Sequence, residues 1–165
     1  MRHETHAHDG DVVVFHIGMT IRKPHRPDLW WAPFVAMPQM IGELSRNRAA
    51  AERGEAEDLG FLGAYTLMGR GGPWVVQYWR STDQLYRYAS MADAKHLPAW
   101  KKFNAVARRH PEAVGIWHET FAVPAGGIET LYGNGARTGL GALTGTVEAT
   151  RRGRGARERL GSAVA

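Results

Sequence analysis

With 165 residues, 44% of them hydrophobic and 22% charged, the chain has the size and composition of one globular domain around a single core. Zero cysteines exclude disulfide scaffolds, thiolate zinc sites, iron–sulfur clusters and cysteine nucleophiles; the serines sit in no Gly-x-Ser-x-Gly element, and no Gly-Lys-Ser/Thr phosphate loop is present. The formal charge of +5 belongs to one end: Arg151, Arg152, Arg154, Arg157 and Arg159 less Glu158 supply +4, so the rest carries +1 and offers nucleic acid no basic, aromatic-interleaved footprint.

Residues 1–10 read as a disordered polar leader, in which His3, His6 and His8 have no rigid scaffold to hold a metal. The leader lacks the apolar core of a secretory signal and no apolar run is long enough to cross a bilayer, so a cytoplasmic protein is expected. Asp11 to Ile21 is the first strand, rich in β-branched and aromatic residues. Alternation puts Val12, Val14, His16 and Gly18 on one face and Val13, Phe15, Ile17 and Met19 on the other, a strand covered on both sides. After a proline-bearing crossing, Leu29, Trp30, Phe34, Met37, Ile41 and Leu44 recur at helical spacing, with Pro38 marking a kink or a fresh start. Ser45 to Asp58 either continues that helix or forms a surface loop.

Leu59–Met68 and Pro73–Arg80 are extended runs joined by a glycine-rich connector, a hairpin pattern. The second run divides into Trp74, Val76, Tyr78 and Arg80 against Val75, Gln77 and Trp79, a polar side chain on each face. Ser81 and Gln84 have capping-box spacing for a short helix ending near Met91. Pro98 suits the first turn of a helix that runs to His110, with Trp100, Phe103 and Ala107 inward. Val114–Val123 is another alternating strand, placing His118 and Glu119 on opposite faces. A short run from Ile128 to Tyr132 follows, and then GNGARTGLGALTG, too glycine-rich for regular structure and lacking the dinucleotide fingerprint, reads as a flap over a pocket. The expected organisation is a domain over residues 11–141 and a flexible basic tail over 142–165.

The order β-α-β-β-α-β with an extra C-terminal strand specifies an α+β, ferredoxin-like sandwich. One face of such a sheet stays open, and two copies can close it against each other, so a homodimer is expected.

FHIGMTI, WWAPFVAMPQMIGEL, VVQYWRSTDQLYRYA, HLPAWKKFN and VGIWHETFAVPAGGIETLYGN resemble the DUF4188 group of monooxygenase-like proteins, within the dimeric α+β barrel superfamily. The resemblance covers about residues 12 to 141; where its methionine-proline element is expected, the chain has Gly135, Ala136 and Arg137. It implies a small dimeric barrel enzyme acting on a small organic substrate in secondary metabolism or detoxification, either a haem-dependent monooxygenase or an aldoxime-dehydratase-like enzyme. Cofactor-free monooxygenation and a non-catalytic stress-response or ligand-binding barrel are its alternatives.

His96, just before Leu97-Pro98, is placed at the positive end of a helix, which keeps imidazole neutral. A neutral ring suits a haem iron ligand or a base, and the resemblance suggests His96 as the axial ligand; a cap or packing role is the other reading. His118, Arg80, Tyr132 and Asn134 are the candidate catalytic residues. Arg80 and Trp79 are candidate cofactor contacts, Arg80 because a guanidinium suits a haem propionate, although a surface ion pair would explain it equally.

Overall fold

The computed structural model describes residues 2–69, 71–91 and 96–161, with the backbone alone at 96–100 and 102. Its frame is a four-stranded antiparallel sheet of β2 (Val12–Ile21), β3 (Phe61–Gly69), β4 (Gly72–Trp79) and β5 (Val114–Val123), in the order β3-β4-β2-β5. The central strands are those whose alternating faces are both apolar. One face carries the helices α1 (Pro27–Glu52), α2 (Thr82–Ser90) and α3 (His96–Arg109), the two layers of a ferredoxin-like α+β fold. Val13, Met40, Leu44, Phe61, Trp79, Leu85 and Tyr88 form the core between them, and Met19, Phe103 and Val114 a second cluster under α3.

Helix α1 is continuous through Pro33 and Pro38 and takes up the charged, Ala-rich stretch as far as Glu52. Helix α2 starts as its sequence dictates, the Ser81 hydroxyl accepting from the Gln84 N–H at 3.2 Å. The hairpin β3–β4 carries a bulge at Leu62, between Phe61 and Gly63.

Residues 2–10 and 142–161 carry regular structure and side-chain contacts where the sequence reads a disordered leader and a flexible tail. His3–His6 is strand β1, the middle of a second sheet, between β6 (Tyr132–Gly133) and β7 (Thr146–Glu148). The extra C-terminal strand therefore pairs with the first residues of the chain rather than with the main sheet. The polar leader is ordered because its side chains find partners. Glu4, 4% exposed, takes two guanidinium N–H groups of Arg137 at 2.8 and 2.9 Å and the Thr146 hydroxyl at 3.1 Å. The described part of the basic tail finds partners in the same way: Arg152 donates to Asp9 at 2.6 Å and to the His8 carbonyl at 2.7 Å, and Arg159 to Glu129 at 2.8 Å. Within the glycine-rich segment Gly139–Thr144 is a short helix, α4, and Ala156–Arg159 another, α5. Leu140 of α4 packs with Ile128, Val12 and Leu62 on the face of the main sheet opposite the helices. No helix among the described residues is long and apolar enough to cross a membrane.

Candidate functional site in the helix-face cavity

Between the main sheet and the helices lies a cavity of about 410 Å³. Phe15, Ile17, Met40, Leu85 and Tyr86 give it apolar walls, and Gln77, Trp79, Tyr88 and His118 complete its lining. Strand alternation makes this choice. Gln77 and Trp79 are two residues apart on β4 and share the helix side, and the register pairs Phe15 with Gln77 and Ile17 with both Val75 and His118. His118 is at the mouth, exposed, its ring 5.7 Å from that of Phe15.

Trp79 is fully buried and its indole N–H donates to the Gln77 side-chain oxygen at 3.0 Å. Gln77 is 1% exposed, and its Nε2 has no hydrogen-bond partner among the described residues. Burial, with the Glu43 carboxylate adding to it, pushes the Tyr88 hydroxyl far above the ordinary phenol range, so it stays protonated.

The sequence-predicted site residues are distributed over several places. His118 and Trp79 meet in this cavity. Glu119 points to the opposite face, as alternation requires, with Oε2 4.0 Å from His16 Nδ1 beside Trp74 and Phe121. Arg80 does not join them: half-exposed at the sheet's end, it pairs with Asp58 at 3.3 Å. Tyr132 is buried on the opposite face, its hydroxyl accepting from the Gly141 N–H at 2.8 Å; a Cβ at Gly141 would come within 2.4 Å of the ring. Asn134 is an exposed turn residue with φ of 52°, its N–H donating to the Arg2 carbonyl at 3.0 Å. Tyr132 and Asn134 thus sit at the end sheet, apart from Arg80, which pairs with Asp58. His96 is the first residue of α3, inside the helix rather than before it; its side chain lies outside the described residues.

Sequence reasoning passed over Gln77 as a site residue in favour of Arg80. The signal for Gln77 was a lone amide among apolar residues in a strand that alternation buries on both sides.

A family model described as Monooxygenase af470-like matches residues 12–140. Monooxygenase af470 of Aspergillus fumigatus is 29% identical over 136 residues, covering 76% of this chain and 43% of that protein, so the chain spans less than half of that relative's length. Among solved structures, an aldoxime dehydratase in complex with butyraldoxime superposes with a TM-score of 0.59 at 19% identity, over 96% of this chain and 42% of that one. SnoaB, a cofactor-independent oxygenase from Streptomyces nogalater, gives a TM-score of 0.43 at 17% identity, over 67% of this chain and 91% of that one. The first of these likenesses shows the fold.

Proposed function

The chain belongs to the Monooxygenase af470-like family, and from that premise we propose that it is a small monooxygenase-like barrel enzyme whose active site is the helix-face cavity. The make-up of that cavity carries the reading: apolar walls, a histidine at the mouth, and no charged side chain among the described lining residues. Desolvation disfavours an ionic substrate there, and a neutral organic molecule is what such walls accept. His118 is the acid–base group, placed where it can exchange protons with water between turnovers. In oxygenation without a cofactor, His118 takes a proton from a substrate methylene and dioxygen oxidises the resulting carbanion. One oxygen atom enters as a carbonyl; the other leaves as water with the two hydrogens of the methylene. Oxygen uptake over a panel of small cyclic ketones bearing an activated methylene tests this. Uptake that His118→Ala abolishes is the expected result, and a panel without uptake leaves the non-catalytic binding barrel in its place.

Haem-dependent oxygenation or aldoxime dehydration is a second reading, favoured by the start of α3 at His96. The described residues fit haem poorly. None lining the cavity is a cation to meet its carboxylates, and Arg80, suited to that task by type, is engaged by Asp58 at the sheet's end. A Soret band after purification with haem supplementation, lost in His96→Ala, would replace the first reading with this one, and butyraldoxime is the substrate to try then.

A homodimer is part of the proposal. Among the described residues, the face of the sheet away from the helices is covered at one end, by Leu140 and Ile128; at the other, Phe121 and Leu67 are 48% and 45% exposed, beside the His16 ring and opposite Trp74. Light scattering on the wild type and on Phe121→Glu tests it, a monomeric wild type being the contrary outcome.

A further inference from the structure

We infer that Gln77 orients the substrate by donating a hydrogen bond from Nε2, and that the substrate is a neutral, mostly apolar molecule bearing one carbonyl-type acceptor. The inference deepens the reading above and rests on the helix-face cavity being the active site.

The orientation of the amide follows from chemistry. An indole N–H can only donate, so the side-chain atom of Gln77 that lies 3.0 Å from Trp79 Nε1 is the oxygen. Trp79 is itself immobilised in the core, in edge contact with Phe61 at 5.3 Å between ring centroids. The amide is thereby held in one sense, its oxygen occupied and its NH₂ left over. That NH₂ has no partner among the described residues, the residue is 1% exposed, and it lines the cavity. A buried donor left without an acceptor is costly, and a ligand that brings one removes the cost only when bound. A hydrocarbon cannot do this, and an ammonium or guanidinium would present donors to a donor.

The register sets the ligand's size. Gln77 is opposite Phe15 on one side of β2 and His118 opposite Ile17 on the other. With strands about 4.8 Å apart and about 3.4 Å per residue along them, the two Cα atoms are roughly 12 Å from each other. Gln77 Nε2 makes no hydrogen bond to His118, and the spacing suits a one- or two-ring molecule between them. The acceptor would lie on Gln77 and the carbon to be deprotonated near His118.

The test compares two molecules of one shape, 1-tetralone and tetralin, which differ by the carbonyl oxygen. Dissociation constants come from chemical-shift titration, with no turnover required. Wild type is expected to favour the ketone by about tenfold, the worth of one hydrogen bond that rescues a buried donor. Gln77→Met keeps length and shape, lacks the donor, and is expected to erase the preference. Trp79→Phe removes the N–H that pins the amide; the preference is expected to shrink there too, which keeps the test available if Gln77→Met does not fold. His118→Ala, which stops turnover in the first reading, should leave the preference intact, so the two claims fail separately. Equal binding of both molecules to wild type, binding of neither, a preference that survives Gln77→Met, or one undiminished in Trp79→Phe overturns the inference.

Discussion

The helix-face cavity and the end sheet bury polar groups in opposite ways. In the end sheet, Glu4 is enclosed by Arg137 and Thr146, Arg152 by Asp9 and two backbone carbonyls, and Arg159 by Glu129. Each charge meets an opposite charge within hydrogen-bonding distance, which is how buried ions become part of a structure. At the cavity a buried amide has its oxygen bonded and its NH₂ without a partner among the described residues. Satisfied burial fastens one region; unsatisfied burial leaves the other dependent on what enters it.

The largest expected effect separates activity from stability. His118→Ala should lower turnover about 100- to 10,000-fold, the usual worth of a positioned acid–base group, while the unfolding free energy changes by less than about 0.5 kcal/mol because the side chain is exposed. Steady-state rates and urea titration on the same preparation check both halves. A variant that unfolds early would make His118 a structural residue.

Arg152→Met reverses the pattern. It removes a guanidinium that is 4% exposed, with the hydrogen bonds it gives to Asp9 and to the His6 and His8 carbonyls. A loss of about 2–3 kcal/mol is expected in urea titration, toward the low end for a buried ion because Asp9 retains access to water. Ligand binding in the cavity should be unchanged per folded molecule.

Acid acts on the same region. The two Arg137 bonds hold the Glu4 carboxyl down at about 2, and burial holds His6 down at about 4, against ordinary values of 4.5 and 6.5. Both folded pKa values are depressed, so in each case the unfolded chain takes up the proton first and stability falls as pH falls. The His6 contribution is complete above pH 6.5 and is lost between there and 4; the Glu4 contribution is complete above 4.5 and is lost toward 2. Thermal midpoints measured against pH should decline in these two windows. Glu4→Gln should flatten the lower one and His6→Asn the upper, and a midpoint that rises between pH 6.5 and 4 would contradict the assignment.

What could be read from the sequence follows the same division. The main sheet, its three helices and the opposite facing of His118 and Glu119 were legible because they rest on periodicity and caps, which are local. The end sheet was not. Its strands are two to four residues long, and β1 pairs with segments more than 120 residues away through Glu4, Arg137, Thr146 and Arg152. Those residues look like solvated charge until their partners are known. The place of Tyr132 and Asn134 in the end sheet is hidden for that reason, and that of Arg80 because alternation says which face a strand residue takes but not that its strand has already reached the rim.

Arg80→Ala should have the smallest effect. The guanidinium is half-exposed, and its contact with Asp58 is a single bond from Nε at 3.3 Å, an arrangement worth about 0–1 kcal/mol in water. What fixes this end of the strand is the backbone: the Arg80 N–H donates to the Gly60 carbonyl at 2.9 Å, a bond that alanine retains. Turnover should therefore stay within about twofold of wild type, the rate equivalent of about 0.5 kcal/mol. The tetralone preference should not move. A rate loss approaching that of His118→Ala would place reacting groups at the sheet's end, where Arg80 and Asp58 meet, and would take the active site out of the helix-face cavity.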